Sequence, residues 1–423
     1  MWKKLFYFIA LISIFCLLFG GLAPAKTKVT FWYPGGAGQE ECFNGSVKRF
    51  EAKNPDIDIV PTVLPPNSAD INIRLNAAKL SKTYPDVFSA FLIFMGTRGS
   101  QGDFAVLDDY IAKWKGKSDM LESALAMGKY KGKYIGLGFF PAPIVPVYRK
   151  DYFKEAGLDP NVPPKNWQEL HEFARKLVIR DKSGNVLRCG IDIPSTTAPD
   201  LVYMETLMRA NGSEVFDEEK GEPSWTDKGA IEALEFIATL WKEKLSMPHS
   251  NVQWLEHPFA RGKSAMGWVF NPVLGKLFAS DPTLKEKIGY IPPMGPVRPY
   301  TFCGYRMFTI AKDSKVKDAA WRFIEFEMEP EEMWDRYEKL VIPPVRKSLV
   351  DKFVRDDPEK NKAVADAVKW GKGKAVLAWT SIGDKYLGQA YEEVLNGKKT
   401  AEQALKDADK GCRFELKRLG YIK

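Results

Sequence analysis

Histidine is nearly absent from this chain, with three in 423 residues, and its five cysteines are scattered far apart. No C-x-x-C or H-E-x-x-H occurs, so a zinc site of the usual type is excluded, and no metal or cofactor is expected. The absence of G-x-S-x-G removes the nucleophile-elbow hydrolases. Beyond residue 25 no apolar run is long enough to cross a bilayer, so the mature chain is expected to be soluble. Charge of one sign is lacking too: 62 Lys and Arg against 54 Asp and Glu leave only +8, spread along the chain. With no basic run carrying interleaved aromatics, nucleic acid is not an expected partner.

What is present begins at the N-terminus. Lys3 and Lys4 precede an apolar run over residues 5–22, and Ala23, Pro24 and Ala25 form an A-x-A site. A charged start, an apolar middle and small residues at the cut are the parts of a secretory signal peptide, with cleavage expected after Ala25. Cys42, Cys189, Cys303 and Cys412 remain in the mature chain. Four cysteines in an exported protein allow three complete pairings, and buried free thiols are an equal alternative. Aromatics are abundant (12 Trp, 16 Tyr, 26 Phe), several beside Gly, Pro or Asn, a pattern suited to gripping flat apolar faces.

The hydrophobic rhythm predicts strand, helix, strand, helix, strand over residues 28–88, with helices at 42–54 and 68–80. This alternation is that of an α/β domain with a largely parallel sheet. Residues 130–134 read as a hairpin. Pro141, Pro143 and Pro146 then stiffen an extended stretch suited to a crossing between lobes. Helices are expected at 167–179, 200–210, 227–245, 316–327, 331–340, 361–369 and 401–410, with capping signals at Asn166, Thr226, Asp227 and Thr400.

Several blocks resemble one family. Residues 132–137 (Gly-Lys-Tyr-Ile-Gly-Leu) are followed by 147–158, from Val147, Tyr148 and Arg149 to Ala156, Gly157 and Leu158. Residues 163–170 resemble a PPKTWDEL segment, residues 259–266 resemble F-x-x-G-K-x-A-M, and Pro85-Asp86-Val87 and residues 396–400 complete the set. In this order, over nearly the whole mature chain, they resemble the extracellular solute-binding protein family 1. These are the maltose-binding-protein-like sugar receptors of ABC transporters.

The resemblance implies a type II periplasmic-binding architecture, with two α/β lobes, three hinge crossings and a central ligand cleft. The crossings are expected near residues 141–146, 302–304 and 342–345. One lobe then comprises 26–142 and 304–343, the other 143–303 and 344–423. It also implies a monomeric receptor, periplasmic or extracellular, that binds a mono- or oligosaccharide or a polyol and delivers it to the permease without chemistry. A ligand bearing a phosphate, phosphodiester or uronate group is the alternative, and a secreted carbohydrate-active enzyme the remote one.

Sugars present an apolar ring face and an edge of hydroxyls, so rings with charged or amide groups are the matching chemistry. The expected ligand-binding residues are Trp32, Tyr33, Gln39 and Glu40 around the first Gly-rich turn, and Phe91 and Arg98 in the 89–98 segment. Tyr148 follows the first crossing, Trp268 and Asn271 the family-like strand. Tyr305 and Arg306 stand where relatives carry small residues; Trp379 and Asp384 come from the second lobe. The glycine turn at 35–38 lacks the Lys-Ser/Thr ending of a phosphate loop, which argues against nucleotide.

Overall fold

The structure, a computed structural model, describes residues 25–36, 38–196, 201–249 and 254–423. Of the expected signal peptide, residues 1–25, all but the exposed Ala25 lie outside the described residues. Among the described residues no helix is long and apolar enough to cross a membrane.

The chain opens with three parallel strands joined by helices: β1 (Thr27–Pro34), α1 (Gln39–Lys53), β2 (Ile57–Leu64), α2 (Ser68–Leu80) and β3 (Val87–Phe91). Apolar residues drive this unit. Val29 and Phe31 of β1, Phe43, Val47 and Phe50 of α1, and Ile71 and Leu75 of α2 are all buried. Asn67 caps α2 by accepting from the amide of Asp70 at 2.9 Å, satisfying one of the orphan donors at a helix start.

The segment after β3, expected to line the cleft, forms a helix, α3 (Leu92–Ser100). Leu92, Phe94, Met95 and Arg98 are buried along it. The hairpin appears where the sequence places it, with Lys129–Tyr130 paired to Lys133–Tyr134.

A long strand, β4 (Leu137–Arg149), then runs on without a break. The second region adds α4 (Trp167–Leu177), α5 (Val202–Ala210), α6 (Lys228–Lys242), β5 (Met266–Phe270), α7 (Asn271–Ser280) and β6 (Ile288–Tyr290). The chain returns through β7 (Cys303–Ile310), α8 (Lys317–Glu327) and α9 (Pro330–Leu340). It ends in α10 (Lys347–Asp356), α11 (Pro358–Trp370), α12 (Thr380–Leu395) and α13 (Ala401–Arg418). The sequence reading lacked α10 and α12, and α13 runs well past the expected residue 410.

One sheet links these parts in the order β5-β4-β7-β3-β1-β2, with β6 also on β4. β7 lies antiparallel between β3 and the first half of β4; β5 pairs with residues Ile144 to Tyr148 of its second half. The amide of Ile144 donates to Phe302 on the β7 edge. Successive strand amides alternate sides, so the ring nitrogens of Pro143 and Pro141 face the opposite edge. Along that edge no strand of the described residues pairs with β4 before Ile144.

Core packing changes over along β4. Leu137, Phe139 and Phe140 join a cluster with Phe31, Phe88, Met307 and Phe308. Ile144 joins a second cluster with Trp225, Leu234, Trp268 and Tyr391. Phe302 and Cys303, adjacent in sequence, belong to the second and first cores respectively. A smaller third cluster ties Val145, Val147 and Val269 to Tyr337, Phe353 and Val364. Cys42, Cys189, Cys303 and Cys412 are all buried and unpaired, so of the readings left open by sequence the structure holds free thiols.

Candidate functional site

The end of β3, the first half of β7 and the first half of β4 run side by side in the sheet, beside the first core. At this place Arg306 of β7 stands opposite Phe91 of β3 on one side and Phe140 of β4 on the other. Directly opposed strand residues share a face, so both rings flank the arginine. Its guanidinium carbon lies 4.9 Å from the Phe91 ring centre and 4.8 Å from that of Phe140. Nη1 donates to Oε1 of Gln39, at the first turn of α1, at 2.6 Å. Among the described residues no carboxylate lies within ion-pair distance of Arg306. Burial pulls its pKa down to about 10, which leaves it cationic at neutral pH. Trp32 is half-buried against the same core, and Glu40 is exposed beside Gln39.

Across from α3, residues 371–379 of the second region come in close. Gly96 of α3 packs on the backbone of Leu377, and Gly373 packs against Leu92 and the carbonyl of Cys303. Both approaches need glycine, because a Cβ at either would lie closer than 2.5 Å to its neighbour. Behind this segment Lys374 is buried between Glu205 of α5 and Asp384 of α12, 2.9 Å from a carboxylate oxygen of each. Asp384 therefore helps anchor the loop through a largely desolvated ion pair. Asn271, 2% exposed at the start of α7, donates to the carbonyl of Val341 at 3.1 Å near the third expected crossing. Its Oδ1 is buried without a partner among the described residues.

Other expected site residues are packed inside their own lobes. Arg98 is buried: Nη1 pairs with Asp103 at 2.9 Å, and Nη2 donates to Asn72 Oδ1 at 2.6 Å and Asn76 Oδ1 at 3.0 Å. The α3 helix turns it away from its expected place because Leu92, Phe94 and Met95 fix the helix face. Tyr33 is stacked between Phe31 and Phe43, and burial raises its phenol to about 12. Tyr148 donates to the carbonyl of Pro160 beside Phe153. Tyr305 is buried and donates to Ser123 Oγ at 3.1 Å. Trp268 is 7% exposed, edge-on to Tyr203, and walls a narrow apolar cavity with Trp167 and Met294. Trp379 is buried edge-on to Phe216. The cluster thus gathers Gln39, Phe91 and Arg306 from the expected set and adds Phe140. Sequence reading missed Phe140 because only strand register sets it beside Arg306.

Away from this place, Asp192, His249 and His257 gather within 4.8 Å. His249 Nε2 lies 2.9 Å from Asp192 Oδ1, and its Nδ1 lies 3.0 Å from the carbonyl of Met247. An opposite charge at that distance favours the charged ring. Burial opposes that charge, but the Asp192 bond outweighs it and raises the pKa. His257 is held neutral, its pKa depressed to about 4 first by burial. The cluster reads as a buried ion pair with a neutral neighbour.

The profile of bacterial extracellular solute-binding proteins matches residues 36–334. The sn-glycerol-3-phosphate-binding periplasmic protein of Escherichia coli is 24% identical over 96% of both chains. A probable amino-acid ABC transporter periplasmic-binding protein of Sinorhizobium fredii is 26% identical over 70% of this chain and 67% of its own length. Among solved structures, the cyclic α-maltosyl-1,6-maltose binding protein of Arthrobacter globiformis superposes with a TM-score of 0.81 at 20% identity. It covers 93% of this chain and 100% of that one. A likeness at that identity carries the fold, the two-lobed type II architecture.

Proposed function

The chain belongs to the bacterial extracellular solute-binding protein family, and from that premise we propose that it is the receptor for a hydroxyl-rich small solute, a carbohydrate or polyol, gripped between its lobes. Members of the family bind small molecules outside the cytoplasm and work with ABC importer permeases. The finer reading rests on one observation: two phenylalanine rings and an amide-anchored guanidinium stand together in the sheet, beside the first core. Ring walls suit the apolar face of a sugar or polyol, and fixed donors suit its hydroxyls. The unpartnered Oδ1 of Asn271 offers an acceptor from the second lobe.

The proposed role is binding followed by release to the permease, with the solute unchanged, by a monomer exported through a cleaved signal peptide. The proposed lobes are 26–142 with 304–343 and 143–303 with 344–423; the change of core between Phe140 and Ile144 along β4 supports the first of these crossings. A specific observation favours a second class of solute: Arg306 has no carboxylate partner among the described residues, which suits a phosphate- or carboxylate-bearing guest.

The test is a thermal-shift and calorimetric screen of the mature protein against neutral sugars, polyols, uronates and sugar phosphates. A true ligand raises the midpoint in a concentration-dependent way, by mass action, and is recovered intact. Turnover of a glycoside, or no response to any class, rejects the reading.

A further inference from the structure

The buried arginines of this protein show what Arg306 lacks. Arg98 pairs with Asp103 at 2.9 Å, Arg336 with Glu327 at 2.5 Å, Arg149 with Asp151 at 2.6 Å and Arg346 with Asp119 at 3.0 Å. Each is a desolvated cation balanced by a carboxylate, as the cost of burying a lone charge demands. Arg306 is set equally deliberately, between two rings and fixed by Gln39, yet its partner is a neutral amide. A guanidinium carries five N–H donors in a rigid fork, and one is spent here. The two rings hold the fork's plane, and cation–ring attraction offsets only part of the desolvation.

Its position makes the missing partner informative. Arg306 lies on the fourth residue pair of the β7–β4 ladder counted from the crossing, after Cys303, Gly304 and Tyr305. It is half-buried, and so within reach of a solute. Any solute bound there meets a fixed positive charge whose remaining donors suit two oxygens of one anionic group.

We propose that Arg306 is the counter-charge for a single anionic group, a carboxylate or a phosphate ester, on the hydroxyl-bearing solute of this receptor. The proposal rests on the receptor reading above and narrows it. A neutral sugar leaves the half-buried guanidinium without a counter-charge, whereas an anionic one completes the pair and gains a charge-assisted, bidentate contact. Gln39 acts as the positioning residue that holds the fork toward the gap.

The experiment compares matched probes on the mature protein by isothermal calorimetry at low salt. The probes are glucose, glucuronate and glucose 6-phosphate, with glycerol and glycerol 3-phosphate as a smaller set. In the wild type, an anionic probe binds at least about tenfold tighter than its neutral counterpart. The carboxylate and phosphate arms identify which anion is read. Arg306→Met loses affinity for that anion by on the order of a hundredfold, Arg306→Lys by less, and in both the loss for the anionic probe exceeds the loss for its neutral counterpart by about tenfold or more. Gln39→Ala, which leaves the sheet intact, gives a smaller loss of the same sign and serves if Arg306→Met fails to fold. Equal binding of neutral and anionic probes by the wild type overturns the inference and leaves the receptor reading standing. So does tight neutral binding that Arg306→Met does not alter. Failure of every probe in both charge classes overturns the receptor reading as well.

Discussion

A Cβ built on Gly96 would stand 2.2 Å from the carbonyl oxygen of Leu377, with the carbon and nitrogen of the same residue at 2.5 and 2.8 Å. Helix α3 therefore touches the 371–379 segment backbone to backbone, and nothing larger than hydrogen fits between. Because the obstruction is main chain, no rotamer change relieves it. Gly96→Val is expected to push the two segments apart, costing about 1–3 kcal/mol and weakening solute binding. Small-angle scattering and calorimetry check this: an unchanged radius of gyration with unchanged affinity would show that the contact does not persist in solution.

Arg98 makes a different prediction. Its guanidinium serves Asp103, Asn72 and Asn76 inside the first lobe. Arg98→Met leaves Asp103 buried with Lys79 as its remaining cation. The expected loss is about 3–5 kcal/mol of stability in urea unfolding, with solute preference unaltered. A stable variant with altered preference would return Arg98 to the binding surface.

Two histidines set opposite pH limbs. His257, neutral in the fold with a pKa near 4, binds a proton more readily when unfolded, at its ordinary 6.5. Its contribution is full above pH 6.5 and is lost as pH falls from there toward 4, on the order of 3 kcal/mol. For His249 burial favours the neutral ring, but the bond to Asp192 prevails and raises the pKa. Its contribution is full below 6.5 and is lost as pH rises through the folded-state value. Melting between pH 4 and 8 should show His257→Gln with a shallower acid limb and His249→Asn with a flatter alkaline one. Parallel profiles for wild type and both variants would contradict the assignment.

Four buried thiols should be silent in the native state. Burial raises Cys42 to about 11, and Cys189 and Cys412 to about 12, so almost no thiolate forms at neutral pH. A thiol-specific chromophore is expected to react with the mature protein only in denaturant, and then fourfold. Reductant should leave the melting midpoint unmoved. A midpoint that drops with reductant would reveal a disulfide.

Much of the scaffold was written locally in the chain. Asn166, Asp227 and Thr400 each accept from the amide three residues on, so those helix starts could be read from sequence. The α/β alternation before residue 90 was legible for the same reason, since its apolar spacing is short-range. Helix α3 was not, because Gly96 serves a contact with a segment far along the chain, which local spacing does not reveal. The Phe91–Arg306–Phe140 arrangement was half legible. Arg306 and Phe91 drew notice by residue type, but only sheet register puts Phe140 beside them. Tyr33, Tyr148, Trp268, Tyr305 and Trp379 were noticed for their rings, and the structure packs those rings against neighbours within the cores. Composition cannot separate a ring that stacks on a guest from one that stacks on its neighbours.

Pro141 and Pro143 turn their ring nitrogens to the side of β4 that no strand covers. Both prolines are buried, so that margin is covered by the protein itself. An ordinary residue at either position would bring an amide into the interior with no neighbouring strand to accept it. Proline brings none, and the long strand passes between its two cores without that cost.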